Sequence, residues 1–282
     1  MNMDKIKELA KTHGFRPNKR LGQNFLVDNN IKEKILSFLP LSKDLTVVEI
    51  GPGFGMMTFD LAERCGRLIA IEKDPRVCEI MEEFFAEKGN IELICGDILE
   101  TDIARAAGAP KSKILVYGNV PYYITTPIVE AIIEQRSSVS ELYMVIQEEL
   151  ADRLVAVPGS KIYGSISCFV QYYTKPEKVF KISQNCFFPR PKVNSCLIRM
   201  EFLEKPRVQV ADEEFMFKLI RKAFSQRRKK MLNPLSDGWI ESMDKNRWKE
   251  VLTLCGVDLS ARAEELSLEV YAALADKVMD LL

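Results

Sequence analysis

The sequence predicts an α/β protein whose parallel sheet is covered by helices on both faces, followed by a small all-helical domain. Five short, near-continuous apolar runs alternate with segments of helical spacing, as in parallel sheets that are buried on both sides. After Lys205 and Pro206 the strand pattern stops and helical patterns follow, so we expect domains of residues 1–205 and 206–282. The length of 282 residues, 47% of them hydrophobic, suffices for a sizeable core.

The elements follow one another in a regular order. A first helix is expected where Asp28 can cap an apolar face formed by Ile31, Ile35, Phe38 and Leu39. The predicted strands are residues 46–50, 68–71, 91–95, 114–117 and 142–146, and then 165–173 and 196–202. The predicted helices are residues 56–64, 75–85, 126–134 and 148–155, and then 212–224, 246–254 and 263–281. Because the last two strands alternate apolar and polar residues, we expect a half-exposed antiparallel pair at the sheet edge.

Composition and cysteine spacing exclude several classes of protein. No apolar run approaches the roughly 18 residues of a membrane-spanning helix, and the N-terminal segment lacks the apolar core of a signal peptide. The seven cysteines are scattered and form no CxxC pair, so we expect reduced core residues of a cytoplasmic protein. We therefore expect no disulfides, no metal site and no contact with a membrane.

Basic residues are concentrated in two segments although the whole chain is neutral. The 40 lysines and arginines balance 40 acidic residues, yet residues 171–207 hold eight basic against three acidic side chains, a local charge of +5. Such patches are candidate phosphate contacts of a nucleic acid, although charge runs are usually solvated faces. The candidates are Lys192 in this segment and Arg221, Lys222, Arg227, Arg228, Lys229 and Lys230 in the second domain.

A glycine-rich loop follows the first strand of the sheet and leads directly into a helix. Gly51 and Gly53 let the backbone approach a ligand at the carboxyl ends of the strands. The spacing is GxGxG, and Met56 stands where a dinucleotide-binding loop has its third glycine. This departure disfavours a nicotinamide dehydrogenase and indicates a ligand without a pyrophosphate.

Acidic residues stand at the ends of the next two strands. Glu72 ends the second strand, where a carboxylate can accept hydrogen bonds from both ribose hydroxyls of an adenosine ligand. Asp97 follows the third strand, where it can accept from an adenine amino group. Each residue alone is as well explained by a surface turn, but the glycine loop and both acids together favour S-adenosylmethionine as the ligand.

The fourth strand ends in NVPY, residues 119–122. The side-chain oxygen of Asn119 and the carbonyl of Pro121 could accept hydrogen bonds from an exocyclic amine and aim it at a methyl group. Tyr122 could stack on a base taken out of its helix, as enzymes that act on bases require. No general base is demanded, which suits a chain whose one histidine is His13.

Five motifs occur in a characteristic order along almost the whole chain. They are LGQNFL at residues 21–26, EIGPGFG at 49–55, GD at 96–97, NVPY at 119–122 and FFPRPKV at 187–193. Together they resemble the motifs of the ribosomal RNA adenine N6,N6-dimethyltransferases. The resemblance implies a Rossmann-like, seven-stranded class I methyltransferase sheet whose last strand is antiparallel.

The resemblance also implies roles for individual residues. Asn24 and Leu26 are expected to cover S-adenosylmethionine, and Phe187 is expected to face Tyr122 across the target adenine. The residues expected to bind the cofactor, which leaves as S-adenosylhomocysteine, are Gly51, Gly53, Glu72, Asp97 and Asn119.

Two branches of this family modify different RNAs. Residues 125–128, 157–164, 171–173 and 224–229 resemble the housekeeping branch, which dimethylates two adjacent adenines near the 3′ end of small-subunit (16S) RNA. We therefore expect a monomer that acts on this RNA within a ribosomal subunit or assembly intermediate. The departures from that branch are Glu148, Arg190 and Asn194. Alternatives are the resistance branch, which methylates one adenine of large-subunit RNA, and a non-catalytic RNA-binding assembly factor.

Overall fold

The computed structural model describes Thr12, Gly14 and residues 22–108, 113–226 and 228–282. Contacts within the chain define two units. The first runs to Ala151 and resumes at Glu177–Phe202, and the second comprises Asp152–Pro176 and Leu203–Leu282. The sequence predicted a change of domain near residue 205, and the structure additionally groups residues 152–176 with the helical unit.

The strands and helices lie close to the predicted positions in most of the chain. The strands are β1 (Phe25–Leu26), β2 (Thr46–Ile50), β3 (Arg67–Glu72), β4 (Ile91–Cys95), β5 (Ile114–Asn119), β6 (Val139–Gln147), β7 (Thr174–Ile182), β8 (Phe187–Phe188) and β9 (Ser195–Phe202). The helices are α1 (Asn29–Phe38), α2 (Thr58–Arg64), α3 (Pro75–Ala86), α4 (Ile103–Ala106), α5 (Thr125–Glu134), α6 (Glu148–Leu154), α7 (Ser165–Tyr173), α8 (Glu213–Phe224), α9 (Leu232–Leu235), α10 (Lys245–Leu254) and α11 (Leu268–Met279).

Seven strands form one sheet in the order β4-β3-β2-β5-β6-β9-β7. Strands β2 to β6 pair in parallel, whereas β9 runs antiparallel to β6, with Val145 opposite Leu197. The central strands are buried on both faces and are mostly apolar, as Val47, Val48 and Leu115 illustrate. This confirms the predicted Rossmann-like methyltransferase fold with its antiparallel strand.

The first helix forms as the sequence predicts. The Asp28 carboxylate accepts hydrogen bonds from the backbone N–H groups of Asn30 and Ile31, which otherwise have no partner at a helix start. Ile35 is buried in the main core cluster of the sheet. The local cap thus marks where this helix begins, and its amphipathic face determines which side packs against the sheet.

The prediction of a strand at residues 165–173 is wrong, because this segment is helix α7. Its β-branched and aromatic residues favour a strand locally, but tertiary packing overrides such preferences. The N–H of Gly164 donates to the Ser167 hydroxyl at the helix start, and the Tyr172 ring packs edge-on against Phe217 of α8 at 5.2 Å. The strand begins only at Thr174.

The predicted half-exposed edge position of residues 196–202 is also wrong. Strand β9 lies between β6 and β7, so both of its long edges are paired and most of its side chains are buried. Strand β7 takes the edge instead, with its side chains partly exposed. The order of strands within the sheet, which local alternation does not encode, decides this difference.

The second unit is built from helices. Phe224 of α8 packs against Tyr271 of α11 with ring centroids 6.2 Å apart. The indole rings of Trp239 and Trp248 stack at 6.1 Å. These aromatic contacts hold together helices that are individually too short to be stable in water.

Cys78 and Cys95 form a disulfide in the structure, contrary to the prediction of reduced cysteines. Cys78 lies on α3 and Cys95 ends β4, and their Cα atoms are 6.0 Å apart, within the range that a disulfide spans. The packing of α3 beside β4 brings the two cysteines together, and their separation of 17 residues in sequence does not predict this contact.

Within the described residues, no helix is long and apolar enough to cross a membrane.

Candidate active site

A cavity opens at the carboxyl ends of β2, β3 and β5. The strand order changes direction between β2 and β5, and such a switch point leaves a crevice in which α/β proteins bind their ligands. The predicted site residues that line the cavity are Asn24, Leu26, Gly51, Gly53, Glu72, Asp97, Asn119, Pro121 and Tyr122. The sheet therefore brings together residues that are spread over nearly a hundred positions of the sequence.

The glycine loop after β2 requires its glycines. Gly51 and Gly53 have φ angles of 69° and 53°, a region that strains other residues. A Cβ atom on Gly53 would lie 2.9 Å from the ring of Phe25. The Gly53 N–H donates to Oε2 of Glu72 at 3.1 Å, which links the loop to the end of β3.

Glu72 is a buried carboxylate at the cavity wall. Its Oε1 accepts from the Asp74 N–H at 2.9 Å, and its Oε2 accepts from Gly53. Burial raises the pKa of Glu72, and the two backbone N–H groups partly oppose that rise because they stabilise the charged form. Since a carboxylate has about four acceptor sites, acceptor capacity remains for a ligand.

Asp97 is held in its charged form at the next strand end. Its side chain forms an ion pair with Lys73 and accepts from the Leu99 N–H at 3.1 Å. Burial alone would raise the pKa of Asp97, but the Lys73 ammonium and the Leu99 N–H outweigh burial and hold it below its usual range. Lys73 also lines the cavity.

Glu49 is a cavity residue to which the sequence analysis gave no role. Its side chain is 2% exposed, and no group in the described part of the chain bonds to its Oε2. Burial, reinforced by the negative charge of Glu72, raises the pKa of Glu49 to about 8. The sequence contains one indication of such a role, namely a glutamate inside an otherwise apolar strand. Burying a carboxylate costs free energy, so a buried carboxylate is often part of a functional site.

The segment 22–26 runs along the cavity, and side-chain hydrogen bonds join it to the neighbouring strand ends. Gln23 donates from Nε2 to Oδ2 of Asp74 at 3.0 Å. Asn119 donates from Nδ2 to the backbone carbonyl of Asn24 at 3.2 Å. The second bond uses the nitrogen of the Asn119 amide, so its oxygen is the group available as an acceptor. Gln23 also lines the cavity, although no sequence motif predicts a role for its side chain.

The NVPY segment places Asn119 and Tyr122 at the cavity but engages Pro121 differently from the prediction. The Pro121 carbonyl accepts from the Ile124 N–H at 3.2 Å and from the Thr125 hydroxyl at 3.3 Å. A carbonyl oxygen has two lone pairs, and both have partners here. The Pro121 carbonyl therefore already has hydrogen-bond partners within the chain.

Phe187 does not line the cavity, and its predicted position across the target adenine from Tyr122 stays a prediction. Strand β8 pairs antiparallel with β1, with Leu26 opposite Phe187. Because side chains alternate along a strand, Phe187 turns into the core and is 4% exposed, whereas Phe188 is 53% exposed. Phe187 packs in the core cluster that contains Leu26 and Leu197.

The predicted RNA-binding residues differ in their surroundings. Lys192, Arg221, Arg228, Lys229 and Lys230 are exposed. Lys222 forms an ion pair with Asp237 at 2.6 Å, which reduces its availability to a phosphate. Arg227 and His13 lie outside the described residues.

Two of the departures from the housekeeping pattern have structural partners. Glu148 forms an ion pair with Lys181 at 2.9 Å. The carbonyl of Asn194 accepts from the Glu148 N–H at 3.1 Å, and its side-chain oxygen accepts from the Gln184 N–H at 3.2 Å. These residues stabilise the start of β9.

Among the described residues, no cluster of side chains has the composition of a metal site.

Comparison with solved structures agrees with the fold. The chain is similar to a dimethyladenosine transferase from Plasmodium falciparum, with a TM-score of 0.73 and 23% identity over 89% of this chain and 95% of that one. It is also similar to the 23S rRNA methyltransferase ErmE, with a TM-score of 0.68 and 25% identity over 90% of this chain and 99% of that one.

Comparison of sequences is more specific. Ribosomal RNA small subunit methyltransferase A of Alkaliphilus oremlandii is 38% identical over 276 residues, 97% of this chain and 96% of the relative. The protein of the same name from Moorella thermoacetica is 40% identical over 274 residues, 95% and 94% of the two chains. Residues 14–278 match the ribosomal RNA adenine dimethylase family. Because this family match covers nearly the whole chain and the cavity lies at the strand ends, the chain belongs to the ribosomal RNA adenine dimethylases, which use S-adenosylmethionine as methyl donor.

Proposed function

We propose that this enzyme transfers methyl groups from S-adenosylmethionine to N6 of two adjacent adenines near the 3′ end of small-subunit (16S) ribosomal RNA. The observation that carries the proposal is the cavity in which Glu72, Asp97, Asn119 and Tyr122 meet at neighbouring strand ends. The choice of subunit is supported by relatives 38% and 40% identical over nearly the whole chain, whose names specify the small subunit.

The residues of the cavity fit the cofactor. Bound there, S-adenosylmethionine supplies an electrophilic methyl group on a sulfonium. Glu72 would accept from ribose hydroxyls with the acceptor sites that Gly53 and Asp74 leave, and Asp97 would accept from the adenine amino group. The buried Oε2 of Glu49 suits a positively charged group, because a cation stabilises the ionised carboxylate.

Asn119 and Tyr122 would act on the target base. The lone pair of adenine N6 is delocalised into the ring, so the amine is a poor nucleophile. The Asn119 oxygen would accept a hydrogen bond from N6, orient the nitrogen and stabilise the positive charge that develops on it. The Tyr122 ring would stack on the adenine after the base has left its helix. The cationic amine then loses its proton readily, so no residue need act as a strong base.

The exposed basic residues of the second unit would hold the RNA. Arg228, Lys229 and Lys230 are adjacent and exposed, so they are accessible to the phosphates of the RNA. Contacts to phosphates position the RNA but do not recognise its base sequence. Lys192 would add a contact from the first unit. We place the enzyme in the cytoplasm, where its ribosomal substrate would be assembled, and infer that it acts as a monomer on a ribosomal subunit or assembly intermediate.

Methylation of large-subunit RNA is the second candidate function. It is favoured by the similarity to ErmE, at 25% identity over 90% of this chain. This identity is well below that to the small-subunit enzymes, so the small subunit is the better supported substrate.

The two functions are separated by supplying purified enzyme and S-adenosylmethionine to unmethylated small and large ribosomal subunits in parallel. Modified adenines are then mapped by mass spectrometry of RNA fragments. We expect two adjacent dimethyladenosines near the 3′ end of the small-subunit RNA. Modification of the large-subunit RNA alone would overturn the proposal, and so would monomethylation at a single adenine.

A further inference from the structure

A hydrogen bond joins the hydroxyl of Tyr122 to the hydroxyl of Ser195 at 2.7 Å. The two residues are 73 positions apart in sequence. Tyr122 lies on the short turn after β5 and lines the cavity, whereas Ser195 is the first residue of β9 and is fully buried. A side chain at the cavity is thus tied, at its far end, to the body of the sheet.

The Ser195 end of this bond is rigid. Ser195 pairs with Gln147 in the antiparallel ladder between β6 and β9. The preceding residue, Asn194, bonds to the Glu148 N–H through its carbonyl and to the Gln184 N–H through its side chain. These bonds fix the backbone at Ser195, and complete burial restricts the movement of its short side chain.

The Tyr122 end is less constrained by its own backbone. It belongs to a turn of three residues, Tyr122–Ile124, which is closed by the bonds of Ile124 and Thr125 to the Pro121 carbonyl. These bonds set the backbone but not the rotation of the tyrosine ring. Burial raises the pKa of the Tyr122 phenol, so the group is a neutral hydroxyl that can share a hydrogen bond at physiological pH.

We propose that Ser195 is a positioning residue that holds the Tyr122 ring in the orientation required for stacking on the target adenine. The inference rests on the proposed role of Tyr122 at that base. Small errors in the placement of reacting groups reduce the rate of a reaction more than they reduce binding. Loss of the Ser195 hydroxyl should therefore slow methyl transfer while the cofactor, which is held by other residues, binds normally.

The test is a double-mutant cycle on the full-length enzyme with Ser195→Ala, Tyr122→Phe and the double variant. The single-turnover rate of methyl transfer is measured at saturating cofactor and RNA, together with cofactor affinity and the unfolding temperature. Each single variant should be slower by roughly two- to tenfold, the range of one net hydrogen bond. The double variant should be no slower than the slower single variant, because both changes remove the same bond.

Two further variants separate positioning from general stability. Ser195→Thr keeps a hydroxyl and should restore the rate. Ser167→Ala removes another fully buried serine hydroxyl, which donates to the Arg153 carbonyl in the second unit, and should lower stability without changing the transfer rate.

The inference is overturned if folded Ser195→Ala transfers methyl groups at the wild-type rate. It is also overturned if the two single effects multiply in the double variant, since Ser195 would then act independently of Tyr122. The wild-type rate on small-subunit RNA tests the proposed function by itself. If the wild type methylates adenine in a different RNA, the same cycle on that RNA still decides the role of Ser195.

Discussion

The Gly53 N–H donates to the Glu72 carboxylate at 3.1 Å, so the glycine loop after β2 is joined directly to the end of β3. The same carboxylate accepts from the Asp74 N–H at the start of α3. One buried side chain thereby organises three chain segments around the cavity. Part of its acceptor capacity is used to hold the loop, and we propose that the rest binds the ligand.

We predict that Glu72→Ala weakens the binding of S-adenosylmethionine by about 1–3 kcal/mol, the range for hydrogen bonds to a charged group. The reason is the loss of acceptors for the ribose hydroxyls and of the bond that holds Gly53. Isothermal titration calorimetry on the folded variant measures the effect. Glu79→Ala, an exposed residue on α3, is the control and should bind normally. Normal affinity in folded Glu72→Ala would refute the ribose assignment.

We predict that Glu49→Gln is more stable than the wild type at neutral and alkaline pH. The pKa of Glu49 rises from an ordinary 4.5 to about 8 on folding. A raised pKa contributes stability that is fully present below pH 4.5 and is lost as the pH rises to about 8. Glutamine does not titrate, so its advantage should grow across this window by on the order of 1 kcal/mol per pH unit.

Urea denaturation of both proteins at pH 5 and pH 8 measures this difference. Denaturation is carried out without cofactor, because ligand binding would stabilise the wild type selectively. A stability difference that stays constant between the two pH values would contradict the assignment of the raised pKa to Glu49.

We predict that Asn119→Ala slows methyl transfer by about a hundredfold, the effect of removing one group that stabilises transition-state charge. RNA affinity should change little, because the amide is expected to act on N6 as charge develops. Single-turnover kinetics at saturating cofactor and RNA measure the rate, and filter binding measures RNA affinity. A near-normal single-turnover rate would remove Asn119 from the proposed chemistry.

We predict that replacing Arg228, Lys229 and Lys230 by glutamine weakens binding to the ribosomal subunit and flattens its dependence on salt. Each lost phosphate contact should reduce the slope of log affinity against log salt by roughly 0.7 to 0.9, because fewer counterions are released. Cofactor affinity should be unchanged. Lys218→Gln is the matched control, since Lys218 already pairs with Glu214 at 2.7 Å. Unchanged affinity and slope in the triple variant would identify these residues as a solvated face.

The Cys78–Cys95 bond and helix α7 show what local pattern could not predict. The apolar positions of residues 165–173 fit the spacing of a helix as well as that of a strand, and packing against α8 favours the helix. The disulfide depends on α3 lying beside β4. The contact that decides α7 joins it to α8, which is distant in the chain. The disulfide joins the consecutive elements α3 and β4, and it depends on how they pack and not on the spacing of the cysteines in sequence.

Local sequence patterns are sufficient to predict the alternation of buried strands and helices and the residues at the strand ends. Both depend on short-range properties, namely hydrophobic periodicity, turn glycines and caps. Seven of the predicted site residues, from Gly51 to Tyr122, line one cavity because parallel strands place their carboxyl ends at the same sheet edge, and Asn24 and Leu26 reach the same cavity from segment 22–26.

Long-range packing determines which of two neighbouring side chains is buried and which buried carboxyl group has an altered pKa. The pairing of β1 with β8 turns Phe187 inward and Phe188 outward, a choice made by strand register. Burial beside Glu72 gives Glu49 its raised pKa. Register and desolvation both arise from contacts between distant segments, and these contacts exist only once the chain has folded.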